Sequence, residues 1–226
     1  MFDCILLAAG EGQRAALGYN KVLYKINGKE ELILLSLNYF LNDENCSKVI
    51  IAISKRDELY FKNLIHNKKV SFVYGGATRG ESVKEALKLV TEEYVIVHDG
   101  ARPLVYKEDI RNLVRAAELY GGASLAAKVY NTTCTQEDGF VKEYHSRHTL
   151  ASLITPQCFK SDRLKKAYLE SKDSVFTDDS SLFKMYAGDV KLVYTDNISI
   201  KVTTTYDIKL MEAIYEKRKF YWFSSI

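Results

Sequence analysis

Short, β-branched apolar runs alternate with stretches of helical spacing along most of this 226-residue chain. The runs that predict strands lie at residues 4–8, 48–53, 70–74, 94–98, 124–129 and 190–193. Helical spacing of the apolar residues is clearest at 32–40, 82–89 and 110–117. Strands that are apolar on both faces, and that alternate with helices, form parallel sheets covered on both sides.

The pattern therefore predicts an α/β fold with a Rossmann-like, mostly parallel sheet and helices on both of its faces. No repeat, low-complexity tract or Pro/Gly/Ser-rich linker interrupts the chain, which has 2 prolines and 12 glycines. We therefore expect a single domain over residues 1–226. In a sheet of this kind, ligands bind outside the carboxyl ends of the strands.

One segment, residues 130–154, departs from this alternation. It carries the turn sequence Glu137-Asp-Gly139, followed by Phe140, Val141 and Tyr144 in a strand-like pattern. Such a sequence is typical of a β-hairpin, so we expect a protruding β-arm. The arm either reaches a second subunit and makes a homodimer, or is a surface excursion of the same domain.

Composition excludes several classes of protein. The net charge of +3 is too small to direct binding to nucleic acid or to a membrane, so neither is expected as a partner. The four cysteines are far apart in the sequence, which argues against a zinc or redox pair and for reduced thiols in a cytoplasmic protein. The basic and aromatic residues at 216–223 are expected to end a helix rather than bind nucleic acid.

A glycine-containing loop, Ala8-Ala9-Gly10-Glu11-Gly12-Gln13-Arg14, follows the first strand, and Lys21 lies shortly after it. Glycines let the backbone turn sharply and point its N–H groups at an anion, so the loop predicts a phosphate cradle. A dinucleotide-dependent oxidoreductase is the competing interpretation, but the acidic residue expected about 20 positions further on is missing. The cations Arg14 and Lys21 suit a triphosphate better. A plain strand–helix turn with solvated cations is the remaining alternative.

Two later segments carry further candidate residues. Small residues at Gly75 and Gly76 leave room for a flat base, and Ser82 either caps the following helix or bonds to the edge of the base. Asp99 ends an apolar strand, where a carboxylate contacts a metal or a ribose, or simply forms a turn with the next glycine. His98 faces the opposite side of that strand and is expected to be a packed histidine without a catalytic role.

Together these segments resemble the 2-C-methyl-D-erythritol 4-phosphate cytidylyltransferase family of sugar nucleotidyltransferases. The resemblance covers nearly the whole chain. The matching segments, in order, are residues 7–14, Lys21, Gly75-Gly76 with Arg79 and Ser82-Val83, His98-Asp99 with Ala101-Arg102-Pro103, residues 155–157, residues 177–179 and residues 200–203.

The resemblance implies an enzyme that uses CTP, Mg²⁺ and a polyol phosphate. Its triphosphate contacts would be Ala8, Ala9, Gly10, Gly12, Arg14 and Lys21. Gly76 and Ser82 would face the cytosine, and Asp99 and Ala101 the ribose, with Asp99 also near the Mg²⁺. The acceptor side would consist of Arg102, Thr132, Arg147, Thr155 and Lys201. Arg147 and Lys201 would orient the acceptor phosphate, Lys201 from a strand, and an arm that crosses a dimer would make each site shared.

The chain also departs from the family pattern. Asn20 stands where a proline usually precedes the lysine, and Gly100 replaces an alanine. The other departures lie on the acceptor side, at Lys128, Asn131, Cys134 and Ser199. They leave open a ribitol 5-phosphate or related polyol-phosphate cytidylyltransferase, and also a catalytically silent nucleotide-binding module.

Overall fold

The computed structural model describes residues 1–10, 17–171, 176 and 178–222 of the chain. Within them the strands are β1 (Phe2–Leu7), β2 (Lys25–Ile26), β3 (Glu30–Glu31), β4 (Cys46–Ile53), β5 (Val70–Tyr74), β6 (Tyr94–Asp99), β7 (Gly122–Lys128), β8 (Thr133–Glu137), β9 (Phe140–His145), β10 (Ala151–Lys160) and β11 (Lys191–Tyr194). The helices are α1 (Leu32–Asn42), α2 (Glu58–Leu64), α3 (Arg79–Leu87), α4 (Lys107–Tyr120), α5 (Ser161–Glu170), α6 (Asp179–Tyr186) and α7 (Thr205–Trp222).

Seven of these strands form one central sheet in the order β11-β7-β10-β6-β1-β4-β5. All neighbouring pairs are parallel except the two that β10 makes with β6 and β7. The prediction of a mostly parallel sheet is confirmed. β1 lies between β4 and β6, and its last residue, Leu7, is in register with Ala52 on one side and Asp99 on the other. This register brings the loops that follow β1 and β6 to the same edge of the sheet.

Alternate residues of the central strands face two different hydrophobic clusters. Cys4 and Leu6 belong to the cluster that includes residues of α1 and α4. Ile5 lies in the other cluster, with residues of α3, α5 and α6. Because successive side chains of a strand point to opposite faces, helices cover both faces of the sheet, as the sequence predicts.

The arm is a two-stranded hairpin, in agreement with the prediction. β8 and β9 pair antiparallel around Asp138 and Gly139, whose φ angles are +51° and +85°. A two-residue turn with both φ angles positive favours an Asp-Gly sequence. Phe140 and Tyr144 are 78% and 70% exposed, so the arm leaves aromatic side chains in solvent.

One local prediction is wrong, and one of two alternatives left open by the sequence is excluded. Lys201 does not lie on a strand: residues 195–204 connect β11 to α7 outside any strand, and the Val202 N–H donates to the Ala101 carbonyl at 2.8 Å. Ser82 does not cap α3 either. Thr78 is the N-cap, and with Glu81 it forms a capping box, so Ser82 falls inside the helix.

Candidate functional site

The loop after β1 begins at Ala8, which is fully bonded on its backbone. Its N–H donates to the Ala52 carbonyl at 2.8 Å, and its carbonyl accepts the side-chain amide of Asn20 at 2.6 Å. Lys21 follows directly and begins a short 3-10 turn, Lys21–Leu23. The structure thus ties Lys21 to the end of β1 through its neighbour in the chain.

Further along the same loop, Ala9 and Gly10 are described, whereas Gly12 and Arg14 lie outside the described residues. Gly75, after β5, comes very close to this loop. A Cβ at position 75 would lie 2.5 Å from the Ala9 Cβ and 2.7 Å from the Ser82 Oγ. Since real Cβ atoms do not approach that closely, glycine is required here for the two loops to touch.

Several polar groups of this region form hydrogen bonds at the start of α3. The Glu81 carboxylate accepts the Ala77 N–H at 2.7 Å, and the Ser82 hydroxyl donates to the Thr78 carbonyl at 3.0 Å. Gly76 precedes this turn, and a Cβ added there would meet the Glu81 side chain at 2.3 Å. Ser82 lies beside Gly75, which contacts the loop after β1.

Asp99, at the end of β6, is the centre of an ion cluster. The Lys201 Nζ lies 2.8 Å from its Oδ2, the Arg79 Nε 3.3 Å from its Oδ1, and the Arg102 Nε 3.5 Å from its Oδ2. Asp99 is 8% exposed, and burial alone would raise its pKa. The three cations outweigh burial and hold the pKa of Asp99 well below its usual range, so the carboxylate stays ionised.

Arg79 extends the cluster to a second carboxylate. Its Nη1 lies 2.6 Å from the Oδ2 of Asp179, and the Tyr168 hydroxyl donates to the other oxygen of Asp179 at 2.6 Å. Burial works against the charge on Arg79, but Asp179 and Asp99 raise its pKa above the ordinary value. Arg79 lies in one of the sequence motifs, but no sequence pattern predicts a role for Arg79 or for Asp179.

Asp179 is held in place by β10. The Gln157 side chain accepts the Ser180 N–H at 3.1 Å and donates to Asp178 at 2.9 Å. Asp178 is the N-cap of α6, and its side chain accepts the Ser181 N–H. Only the fold, which brings residues about 100 positions apart into contact, reveals the pair of Arg79 and Asp179.

The cluster carries one more positive than negative charge. Arg79, Arg102 and Lys201 face two carboxylates, Asp99 and Asp179. Within the described part of the chain, the Arg79 Nη2 is also buried without a hydrogen-bond partner. An unpaired buried donor and an excess of positive charge both favour a bound anion.

Thr155 and His98 support the end of β6 from inside. The Thr155 Oγ1 accepts the Asp99 N–H at 3.0 Å and lies 3.2 Å from the His98 Nδ1, and the His98 Nε2 lies 2.9 Å from the Arg102 carbonyl oxygen. Burial lowers the pKa of His98 to about 4, which keeps the ring neutral at pH 7. His98 is packed inside the protein, as expected.

The acceptor-side residues on the arm lie elsewhere. Thr132 and Arg147 are both exposed. The Arg147 Nη1 donates to the Tyr130 carbonyl at 3.0 Å, a bond within the arm. Among the described residues, the ion pairs of Asp99 come from Arg79, Arg102 and Lys201, and Arg147 is not one of them.

A divalent cation is compatible with this centre in one way. The described residues contain no cluster of three or more His, Cys, Asp or Glu side chains suited to a metal. Mg²⁺, however, is often held by one carboxylate together with substrate phosphates and water. Asp99 is ionised and fits that role, provided that Lys201 releases its Oδ2.

No helix in the described ranges is long and apolar enough to cross a membrane.

The α/β fold, with its cation-rich cluster at the carboxyl end of β6, is that of a nucleotidyltransferase, the class to which the matching family and relatives belong. The chain belongs to the 2-C-methyl-D-erythritol 4-phosphate cytidylyltransferase (IspD) family, whose model matches residues 2–217. This membership confirms the resemblance seen in the sequence.

The similarity of individual relatives supports this membership. A 2-C-methyl-D-erythritol 4-phosphate cytidylyltransferase of Bacillus mycoides is 38% identical over 226 residues, which cover 97% of this chain and 100% of the relative. The enzyme of the same name from Geobacillus kaustophilus is 34% identical and covers 96% of this chain and 98% of its own. The crystal structure of 4-diphosphocytidyl-2C-methyl-D-erythritol synthase from Anaerococcus prevotii superimposes with a TM-score of 0.82 at 28% identity, over 96% of each chain.

Proposed function

We propose that this protein transfers CMP from CTP to 2-C-methyl-D-erythritol 4-phosphate. A phosphate oxygen of the acceptor attacks the α-phosphorus of CTP, a new P–O bond forms, and the bond to the β-phosphate breaks so that pyrophosphate leaves. Family membership over nearly the whole chain supports this reaction. The observation that carries the proposal is the Asp99 cluster, with its excess positive charge at the edge of the sheet where ligands bind.

On the nucleotide side, the triphosphate would lie on the loop of Ala8, Ala9, Gly10 and Gly12, with Arg14 and Lys21 offsetting its charge. Gly76 and Ser82 would contact the cytosine, and Asp99 and Ala101 the ribose. The close approach of Gly75 to Ala9 supports this arrangement, because it places the base-side loop directly against the phosphate-side loop.

The chemistry needs cations more than it needs a base. An acceptor phosphate is already ionised at neutral pH, so the neutral, buried His98 has no proton to remove. Arg14 and Lys21 would stabilise the charge that develops on the α-phosphoryl oxygens and the pyrophosphate. We infer that the divalent cation is Mg²⁺; Asp99 and the phosphates would hold it, and it would supply further neutralisation of that charge.

On the acceptor side, Lys201 and Arg147 would orient the phosphate, and Arg102 and Thr132 would contact the substrate. Thr155 would support this side of the site through Asp99, because its hydroxyl oxygen accepts the Asp99 N–H. Lys201 is 40% exposed in its side chain, which leaves its ammonium group reachable from solvent. We further infer that the protein is a homodimer joined through the β-arm, supported by the exposed Phe140 and Tyr144, and that it is cytoplasmic.

The test is pyrophosphate release from CTP with 2-C-methyl-D-erythritol 4-phosphate, with ribitol 5-phosphate, or with no acceptor. We expect release with the first acceptor, loss of release with EDTA, and recovery with Mg²⁺. Lys21→Ala should lower turnover about 10² to 10³-fold. Release with ribitol 5-phosphate alone would change the substrate assignment, and CTP binding without turnover on any polyol phosphate would identify a silent nucleotide-binding module.

A further inference from the structure

The residue before Lys21 is an asparagine that is almost completely buried. Asn20 is 1% exposed, although an asparagine side chain has two N–H donors and one carbonyl acceptor to satisfy. Its backbone angles, φ −64° and ψ 116°, are extended, and this φ is one that a proline ring would fix. Because residue 20 is an asparagine, contacts other than a proline ring must hold the backbone in this conformation.

The side-chain amide of Asn20 joins three separate segments. One N–H donates to the Ala8 carbonyl at 2.6 Å, which fixes the end of β1. The other donates to the Asp57 carboxylate at 2.9 Å, in the loop after β4. The Oδ1 accepts the Val22 N–H at 3.3 Å and so caps the turn that starts at Lys21.

Asp57, which receives this amide, is itself fixed. It is 8% exposed and accepts the Ser54 hydroxyl at 2.9 Å, while its own N–H donates to the Ser54 Oγ at 3.3 Å. Asn20 is therefore bonded to an anchored carboxylate on one side and to a strand end on the other. A buried amide with both donors used gives a defined position to the backbone that carries it.

From these contacts we propose that Asn20 is a positioning residue for Lys21. By hydrogen bonds it holds the Lys21 turn against the end of β1, in place of the covalent restraint that a proline would give. The inference deepens the proposed function, because it rests on Lys21 contacting the triphosphate. Misplacing a phosphate-binding cation by about 1 Å lowers turnover about 100-fold.

The central experiment is a double-mutant cycle between Asn20→Ala and Lys21→Ala, measured as turnover of CTP with a saturating acceptor. Asn20→Ala alone should lower turnover about 10 to 100-fold, and it should add almost nothing once Lys21 is removed. Ser36→Ala is the matched control: it removes a buried hydroxyl whose bond, to the Ile33 carbonyl, lies within α1. We expect the control to leave turnover within about 3-fold of the parent in both backgrounds.

Additive losses would overturn the proposal, because a general loss of folding lowers activity whether or not Lys21 is present. Asn20→Ser keeps one hydroxyl donor and serves as the milder variant if Asn20→Ala does not fold. If the parent shows no turnover, the proposed function fails. Hydrogen exchange then still tests whether the Asn20 hydrogen bonds hold the Lys21 turn against the end of β1. Exchange over residues 17–26 should be faster in the Asn20 variants than in Ser36→Ala, and equal exchange would contradict the proposal.

Discussion

The Asp99 cluster and the β-arm belong to one proposed site but are built in opposite ways. Asp99 and Asp179 are buried and are paired with three cations, Arg79, Arg102 and Lys201. The arm is a hairpin with exposed aromatic residues, and its Arg147 bonds only to a carbonyl of the arm itself among the contacts described. All the residues of the ion cluster come from one chain, whereas the arm exposes the aromatic side chains of Phe140 and Tyr144 to solvent.

The difference shows what each region needs in order to work. A buried ion cluster is already desolvated, so it gains little from a further protein surface and is ready for a charged ligand. An exposed hairpin with aromatic side chains has paid no such cost and gains stability by covering them. The two regions should therefore respond differently to mutation, which the following experiments examine.

The largest effect is expected from Asp99→Asn. Without the carboxylate, Arg79, Arg102 and Lys201 lose their shared partner, and one-sided removal of a buried ion pair costs about 3 to 5 kcal/mol of stability. Turnover should fall at least about 10²-fold as well. Urea unfolding and pyrophosphate release measure the two effects.

Glu85→Gln is the matched control for this change. It also neutralises one carboxylate of an ion pair, with Lys88, but on the surface of α3. We expect a stability change of at most about 1 kcal/mol and parental turnover, since exposed pairs contribute little. Equal losses in Glu85→Gln and Asp99→Asn would mean that the centre is no more than an ordinary surface pair.

A second effect should appear as pH falls, and it should come from His98 beside the buried centre. A free histidine binds its proton near pH 6.5, whereas burial lowers the pKa of His98 to about 4. Between these values the unfolded chain holds more protons than the folded one, so stability declines as pH decreases from 6.5 to 4. This one group should account for about 3 kcal/mol of that decline.

Urea unfolding of the parent and of His98→Asn, from pH 7 to pH 4, measures this contribution. The variant lacks the titrating ring, so its stability should depend less on pH even if it is lower throughout. Asp99 acts in a different window: because its folded pKa is lowered, its stabilisation is present above about pH 4 and is lost below it. Parallel pH curves for the two proteins would contradict the neutral, buried state of His98.

On the arm, Arg147→Ala should raise the KM for the acceptor and lower kcat, together by about 10 to 100-fold in kcat/KM. The increase in Tm that CTP causes should remain, because the proposed nucleotide contacts do not include the arm. Lys142→Ala, which removes a cation of the same hairpin paired with Glu137, should match the parent. Loss of the CTP-induced shift in Arg147→Ala would show that the arm also contributes to nucleotide binding.

The sequence predicts the sheet and the hairpin well because both depend on local patterns. Alternating apolar runs and an Asp-Gly turn are readable from neighbouring residues, and β5 matches its predicted bounds, 70–74. The Arg79–Asp179 pair and the Asn20–Asp57 bond join distant positions, so no local pattern predicts them. Lys201 was expected on a strand because its neighbours are apolar, but Val202 bonds to the Ala101 loop instead of to a sheet.

The smallest change in the stability of a single chain, and the sharpest test of the comparison, is expected for Phe140→Ser with Tyr144→Ser. Both side chains are exposed, so the stability of one chain should change by at most about 0.5 kcal/mol per substitution. In the proposed homodimer, however, the same rings would be buried, and each buried aromatic side chain contributes about 1.5 to 3 kcal/mol.

Analytical ultracentrifugation should therefore show weaker association for this variant. The control is Leu119→Ser, which alters a residue of α4 that is 73% exposed and should associate like the parent. If the parent is a monomer, or if all three proteins sediment alike, the arm is a surface excursion, and Arg147 must reach its substrate without a second subunit.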